Sequence, residues 1–401
     1  MSQGDKQLRK KLAAAFSSTE VRGRDTVVND DAAWATAVDS IWVEQKDVFE
    51  TVSRKTVSDA CYSLVKQLAE ANRDVQVENI RELFSRLKEP DVQEFTVFRT
   101  MMGVYTESDT PLRFGPFTVF DPARHRNGGR FPEQFAKKSP ENRTEIGTVE
   151  YVVSVQKKAR EYIRSKELAD ESFATFENVL RYMSSVKKGG HTWFSPGIFD
   201  QHRARNLSVV VRSSSGEQRI EESRGPRATV NLDESRYTES ANGNEWIWNT
   251  LVTDTPNKLQ SRVITAVEWI GQGMHELQDE KRFVQFMFAL ESLFNRNEKT
   301  FISPSVGSLI TECAAFVIGR NVDERLQIKK LVNGFYSDRS AIVHGGSTSI
   351  TPDDVRLMFR IVTMLVQTLT TDERFTVMTS VDAFHEWVQH QKFSLPSDEN
   401  A

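Results

Sequence analysis

Cysteine is nearly missing from this chain: only Cys61 and Cys313 occur among 401 residues, each inside an apolar helical pattern. Two thiols so far apart exclude a disulfide framework and a cysteine zinc site, and buried thiols in a reducing compartment are expected. Long hydrophobic runs are missing too. No stretch approaches the roughly 18 apolar residues needed to span a bilayer. The opening residues carry only the short apolar stretch Leu12–Phe16, less than a signal-peptide core. A cytoplasmic location is therefore expected. There is no surplus of positive charge either: 52 Lys and Arg against 56 Asp and Glu leave a net charge of -4. That balance argues against coating nucleic acid through bulk charge and leaves room only for a local basic cleft, or one built by two subunits. No Gly-x4-Gly-Lys loop cradles a nucleotide phosphate, and Gly271-Gln272-Gly273 lies in a helical pattern after no strand, so neither an NTPase nor a dinucleotide fold is indicated. His385 and His390 stand five apart, one more than a zinc-protease helix needs, and their segment reads as a solvated C-terminal helix. No metal and no cofactor are expected.

What is present is the composition of a globular chain. With 38% hydrophobic and 27% charged residues, it can bury substantial cores and divides naturally into two or three domains. Asp30 and Asp31 suit a helix start, and Trp34, Val38, Ile41 and Trp42 follow at helical spacing. Val57, Cys61, Leu64, Val65 and Leu68 mark a second amphipathic helix, and Val77, Ile80, Leu83, Phe84 and Leu87 a third. With residues 1–30 read as a loose arm with some helix, 1–90 forms a helical N-terminal subdomain. After Pro90 the pattern changes. Phe95–Tyr105 and Phe114–Phe120 read as a hairpin, Glu150–Gln156 as a strand, and Phe173, Phe176, Leu180 and Met183 as one face of a helix. Asn206–Ser213 and Ala228–Leu232 read as strands on either side of a polar turn. Residues 91–250 are thus a mixed α/β region, a candidate sensing or regulatory part. Beyond the linker punctuation Asn242-Gly243-Asn244 and Asp254-Thr255-Pro256-Asn257, the span 251–395 is helical throughout, followed by a flexible tail at 396–401. Helices are predicted at 259–277, 283–294, 305–318, 323–344 and 353–369. The last is opened by Thr351-Pro352 and is apolar almost all round, hence central. Short connections between such helices imply an antiparallel bundle.

Two charged residues interrupt the apolar stripes of that bundle. In the helix 323–344, Val332, Phe335, Ile342 and Val343 share a face, and Arg339 falls on it. In the helix 283–294, Glu291 falls in register with Val284, Met287, Phe288 and Phe294. A charge on a core-facing stripe requires a partner, because burying either group alone is costly. A structural bridge and a functional pair satisfy that requirement equally. His344 follows Arg339 by five positions at the helix end, where Gly345-Gly346 can supply a left-handed cap and the helix dipole favours a His. An imidazole with pKa near ~6.5 can move protons at the 2′-hydroxyl or the leaving oxygen of RNA, and a guanidinium can hold the phosphate bidentately. One His cannot serve both sides of a phosphorus; two copies across a dimer axis can. Two further segments are candidate nucleic-acid contacts: the basic loop Arg124, His125, Arg126 and Arg130, and Gly189–Phe194. The plainer readings there are an exposed charged loop and a packed turn.

The segment Phe288-Ala289-Leu290-Glu291-Ser292-Leu293, followed by Phe335-Tyr336-Ser337-Asp338-Arg339-Ser340-Ala341-Ile342-Val343-His344-Gly345, resembles a HEPN domain, and more narrowly the Apea-like HEPN branch. The resemblance covers about residues 255–375. It implies a multidomain α+β chain whose C-terminal part is an all-α HEPN bundle of four to five helices. It also implies a metal-independent endoribonuclease in which Arg339 and His344 are the catalytic pair. Glu291, Asp338 and Ser340 are supporting candidates, and Ser340 stands where active members often carry Asn, Asp or His. The implied reaction is attack by the 2′-hydroxyl of the RNA, leaving a 2′,3′-cyclic phosphate and a 5′-hydroxyl. Implied partners are RNA, tRNA among the candidates, and a second copy of the chain bound through the C-terminal bundle. An unidentified trigger would act on the N-terminal region, in a bacterial toxin or antiphage abortive-infection setting. The alternative is a non-catalytic HEPN module that dimerises or binds RNA or protein, since the fold alone does not settle activity.

Overall fold

The computed structural model describes residues 3–17, 19–22, 25–101, 103–125, 151–187, 207–212, 218–223, 230–295, 304–344 and 350–393. Gly189–Phe194, Arg126, Arg130, Gly345, Gly346 and the tail at 396–401 lie outside the described residues. Most described residues are helical; every described strand lies before Leu232, and from Asn244 onward every described regular element is a helix. The chain divides into two compact units, Met1–Phe98 with Ser154–Phe173, and Arg99–Val153 with Ala174–Ala401.

The first unit is built on helices α1 (Gln3–Ser17), α2 (Asp31–Glu44), α3 (Lys46–Thr51), α4 (Arg54–Glu70) and α5 (Val77–Lys88), with the short hairpin β1 (Thr19–Arg22) and β2 (Asp25–Val28) between the first two. Asp30 caps α2 by accepting from the Ala33 N–H, and Ser53 caps α4 by accepting from the Thr56 N–H. The opening segment corrects the sequence reading. Instead of a loose arm, α1 buries Leu8, Leu12 and Ala15 in one core with Val38, Ile41, Cys61, Val65 and Ile80. Its apolar residues recur at spacings of four and three, enough for one narrow buried stripe, and burying each leucine contributes about 1.5–3 kcal/mol. On the same unit, the Arg164 guanidinium lies over the Trp42 ring, 5.5 Å from its centroid.

Strands β3 (Gln93–Met101), β4 (Val104–Tyr105), β5 (Leu112–Phe114), β6 (Phe117–Phe120) and β7 (Tyr151–Ala159) follow, then helix α6 (Tyr162–Lys187), strands β8 (Leu207–Arg212), β9 (Gln218–Ser223) and β10 (Val230–Asn231), and helix α7 (Asn244–Val252). The expected pairing between Phe95–Tyr105 and Phe114–Phe120 does not form. The larger sheet runs β3-β7-β6-β5, and the tight hairpin is β5 with β6, Phe114 opposite Phe117. Its connection passes through Gly115 at φ 54°, a conformation that glycine adopts without a Cβ penalty. β4 pairs in parallel with β10, and β8 pairs antiparallel with β9 rather than flanking a turn to 228–232. Phe114 and Phe117 of the hairpin pack with Phe176 of α6 and Trp248 of α7, ring centroids 4.8–6.4 Å apart.

The remaining helices are α8 (Lys258–His275), α9 (Asp279–Phe294), α10 (Pro304–Ile318), α11 (Val322–Val343), α12 (Pro352–Thr371), α13 (Glu373–Thr376) and α14 (Val381–Phe393). Thr351 and Asp354 form a capping box at the start of α12, which buries ten residues and packs against α8, α9 and α10. Its central place follows the apolar pattern around the helix. Helix α14 differs from the solvated helix expected of it: Phe384, His385 and Val388 are buried, and the Phe384 ring stacks on Phe294 at 5.0 Å. Among the described residues, no helix is long and apolar enough to cross a membrane.

Candidate functional site

Three helices of the second unit, α8, α9 and α11, wall a cavity of about 670 Å³. Helix α8 starts at a capping box, Asn257 accepting from the Gln260 N–H and Gln260 accepting from the Asn257 N–H. One face of α8 buries Leu259, Val263, Ala266, Val267, Ile270 and Met274. Lys258, Ser261, Arg262, Thr265 and Trp269 recur at spacings of three and four on another face and line the cavity. Helix α9 contributes Phe288, Glu291 and Ser292, and α11 contributes Arg339. Helix α11 is started by Asn321, whose side chain accepts from the Glu324 N–H, and it buries Val332, Phe335 and Arg339. The apolar stripe ends at that arginine, since Val343 is exposed.

Arg339 and Glu291 meet as both stripes require. Glu291 is 2% exposed and Arg339 6%. Arg339 Nε lies 3.4 Å from Glu291 Oε1, and Arg339 Nη2 donates to Glu291 Oε2 at 3.5 Å, the outer edge of a hydrogen bond. Glu291 Oε1 and Arg339 Nε have no hydrogen-bond partner among the described residues. The charges are therefore paired while hydrogen-bonding capacity on both groups stays unused. The guanidinium also sits 5.4 Å from the centroid of the Phe288 ring, a cation–π contact. Phe288 in turn packs on Trp269 with centroids 5.0 Å apart and planes tilted by 54°. Arg262 is anchored by donating from Nη1 to the Ser292 carbonyl at 3.2 Å.

Burial pushes the Glu291 carboxyl up to about 7, and the charge of Arg339 offsets only part of that rise. Burial, reinforced by the negative charge of Glu291, holds the Tyr336 phenol well above the ordinary tyrosine range. The phenol oxygen has no hydrogen-bond partner among the described residues. This wall can hold an anion against a guanidinium and offers an aromatic surface to a planar group, while the unpaired oxygen of Glu291 is shut inside the wall beside Arg339.

The other sequence candidates lie elsewhere. His344 is the exposed C-cap of α11, its N–H bonded to the Ser340 carbonyl at 3.1 Å, and it is not part of the cavity wall. Asp338 is half-buried and Ser340 exposed, and neither lines the cavity. The basic loop is structural where it is described. His125 is buried, its Nδ1 accepting from the Asp121 N–H at 2.9 Å and its Nε2 3.2 Å from the Ser108 carbonyl, an arrangement that selects the Nε2–H tautomer. Arg124 is held by the Glu107 carbonyl and by Asp109 and Asp121. His385, set aside from zinc chemistry, is also a packing residue, 3.3 Å from Cys313 Sγ and 2.9 Å from the Phe294 carbonyl. Among the described residues, no group of three or more His, Cys, Asp and Glu converges as metal ligands would.

Sequence reasoning found Arg339 and Glu291 and missed Lys258, Arg262 and Trp269. Their signal was present: a basic and aromatic stripe at three-and-four spacing, opposite the apolar face of a single helix. No protein-family model, no curated protein and no solved structure matches the chain.

Proposed function

We propose that the chain is a metal-independent endoribonuclease whose C-terminal helices form a HEPN-type bundle and act as a homodimer. The observation that carries this reading is the buried Arg339 guanidinium on the wall of a 670 Å³ cavity that also presents Lys258 and Arg262. A desolvated, planar cation facing open space is suited to the oxygens of a phosphodiester, where charge grows in the transition state. Arg339 holds those oxygens. His344 takes the proton of the 2′-hydroxyl, O2′ bonds to phosphorus, and the bond from phosphorus to O5′ breaks. The departing O5′ takes a proton from a second imidazole. Each chain has one His344, so two protomers complete the acid and base. The products are a 2′,3′-cyclic phosphate and a 5′-hydroxyl. RNA, with tRNA the first substrate to try, would be cut in the cytoplasm in a toxin or abortive-infection role, with residues 91–250 answering a trigger.

The test is incubation of the full-length protein with total RNA and tRNA, with and without EDTA, beside Arg339→Ala and His344→Ala. Cleavage with 5′-hydroxyl ends, unaffected by EDTA, and a loss of about 10² or more in each folded variant are the expected results. Strong inhibition by EDTA, or full activity in either variant, would sink the reading.

The geometry also favours a second reading. Arg339 is already paired with Glu291, and His344 stands outside the cavity wall. Both suit a HEPN-type module that dimerises or binds RNA or protein without cutting. In that case RNA is retained intact, and Arg339→Ala lowers stability without abolishing any cleavage.

A further inference from the structure

We infer that the cavity walled by α8, α9 and α11 takes up a proton together with its anion: a phosphodiester enters against Arg339 as Glu291, enclosed behind that arginine, becomes neutral. The two halves of the ion pair face different ways. Glu291 Oε1 is enclosed 3.4 Å from Arg339 Nε, so the carboxylate acts on the guanidinium and not on a guest in the cavity. On the guanidinium, Nη2 donates to Glu291 Oε2 and Nε is enclosed, whereas Nη1 is neither bonded nor enclosed among the described residues. Arg339 lines the cavity, and Nη1 is the donor it can offer there. The volume of about 670 Å³ lies within the range of roughly 300–1,000 Å³ typical of binding sites.

When Glu291 is charged, it neutralises Arg339 and competes with any anion for the same guanidinium. When Glu291 is neutral, the full charge of Arg339 is available to the cavity, beside Lys258 and Arg262. An anion placed at Nη1 in turn raises the cost of a charge on Glu291, because two anions then share one cation. Proton and anion therefore favour each other, and by linkage each strengthens the other by the same factor. Burial has pushed the Glu291 carboxyl up to about 7, which sets the exchange near neutral pH. At acid pH Glu291 is already neutral and the anion binds tightly. As pH rises through about 7, binding requires proton uptake and the affinity falls. It levels off once Glu291 is charged in the complex as well.

The field at Glu291 comes from Arg339, not from the other helices packed on α9. From α11, the Tyr336 phenol also faces it, and burial keeps that phenol well above the ordinary tyrosine range. From α8, Arg262 donates to the carbonyl of Ser292, the next residue of α9, while Glu268 bonds to Thr175 of α6. Glu312 of α10 is engaged by Lys329 and Lys392, and Cys313 by His385. On α12, Asp354 belongs to the cap, Asp353 pairs with Arg356, and Arg360 is exposed. Taking the anion to be a phosphodiester of RNA rests on the endoribonuclease reading. The coupling itself is measured without cleavage, so the two ideas fail separately.

The probe is a short 2′-deoxy oligonucleotide, which carries phosphodiesters but no 2′-hydroxyl to attack. Calorimetric titration of the full-length protein at fixed salt should show about tenfold weaker binding at about pH 8.5 than at about pH 6. Titrations at about pH 7.5 in buffers of different ionisation enthalpy should show net proton uptake on binding. Glu291→Gln leaves Arg339 facing a neutral amide, and it should bind equally at both pH values and lose that uptake. If the variant does not fold, infrared difference spectra of the wild type decide. A protonated carboxyl gained on binding supports the inference, and its absence overturns it. No binding at either pH, equal wild-type affinity at both, or the same proton uptake in Glu291→Gln also overturns it. Proton-coupled binding without any cleavage of RNA upholds the inference while the endoribonuclease reading fails.

Discussion

Glu291 is a carboxyl whose burial opposes its charge more strongly than Arg339 supports it, and this imbalance makes stability depend on pH. Its folded-state pKa of about 7 stands above the unfolded value near ~4.3. Between those values the folded chain holds a proton that the unfolded chain has lost, so stability falls as pH rises through that window and levels off above it. Glu291→Gln should flatten this slope, which amounts to up to about 4 kcal/mol across the window. Urea unfolding at several pH values measures it, and an unchanged slope in the variant would refute the assignment. Arg339→Ala removes the cation paired with that carboxyl. Its destabilisation should therefore be larger at about pH 8 than at about pH 5.5, approaching roughly 3–5 kcal/mol when Glu291 is charged and alone. Thermal unfolding at the two pH values checks this, and equal losses would count against it. At this scale the pair was legible because a charged residue on an apolar stripe is conspicuous. The exposure of His344 was not, because a residue in the last helical turn can face the core or solvent with little change in the pattern.

Helices were more legible than strands. The apolar periodicities of α2, α4, α5 and α9 name residues that the structure buries or half-buries, since a helix face is set by neighbours three and four positions away, whereas Leu277, at the end of the stripe predicted over 259–277, is exposed. Strand partners are chosen over longer distances, which is why Phe95–Tyr105 seeks other partners than Phe114–Phe120. The glycines of α8 gain a meaning that the sequence did not suggest. A Cβ on Gly271 would lie 2.3 Å from the Asn178 carbonyl oxygen and 2.6 Å from its Cα, and one on Gly273 would lie 2.5 Å from the Phe286 ring. These residues allow close approach of α6 and α9 to α8. Gly271→Ala should therefore destabilise by about 1–3 kcal/mol through overpacking, although alanine in a free helix gains roughly 1 kcal/mol over glycine. A variant as stable as the wild type in chemical denaturation would show that the backbones can part at little cost. Gly273→Ala should cost less, because an aromatic side chain can turn aside where a backbone cannot.

For the whole molecule, the two compact units are each assembled from two separate stretches of chain. If His344 supplies both acid and base to one phosphate, the active species contains two chains. Light scattering at about 10 µM should then give twice the 45.7 kDa chain mass, and a monomer that still cleaves RNA would show that one imidazole suffices. The sequence by itself determined most of the helices, the buried faces of α4 and α5, and the presence of a cation and an anion that had to find each other. Those properties reside in spacings of three and four residues and in the cost of burying an unpaired charge. The tertiary structure alone decided which strands pair and that α1 joins a core. It also placed the basic and aromatic stripe of α8 opposite Glu291 and Arg339 around an open cavity. These arrangements depend on packing between residues tens to hundreds of positions apart, and no local periodicity encodes that proximity.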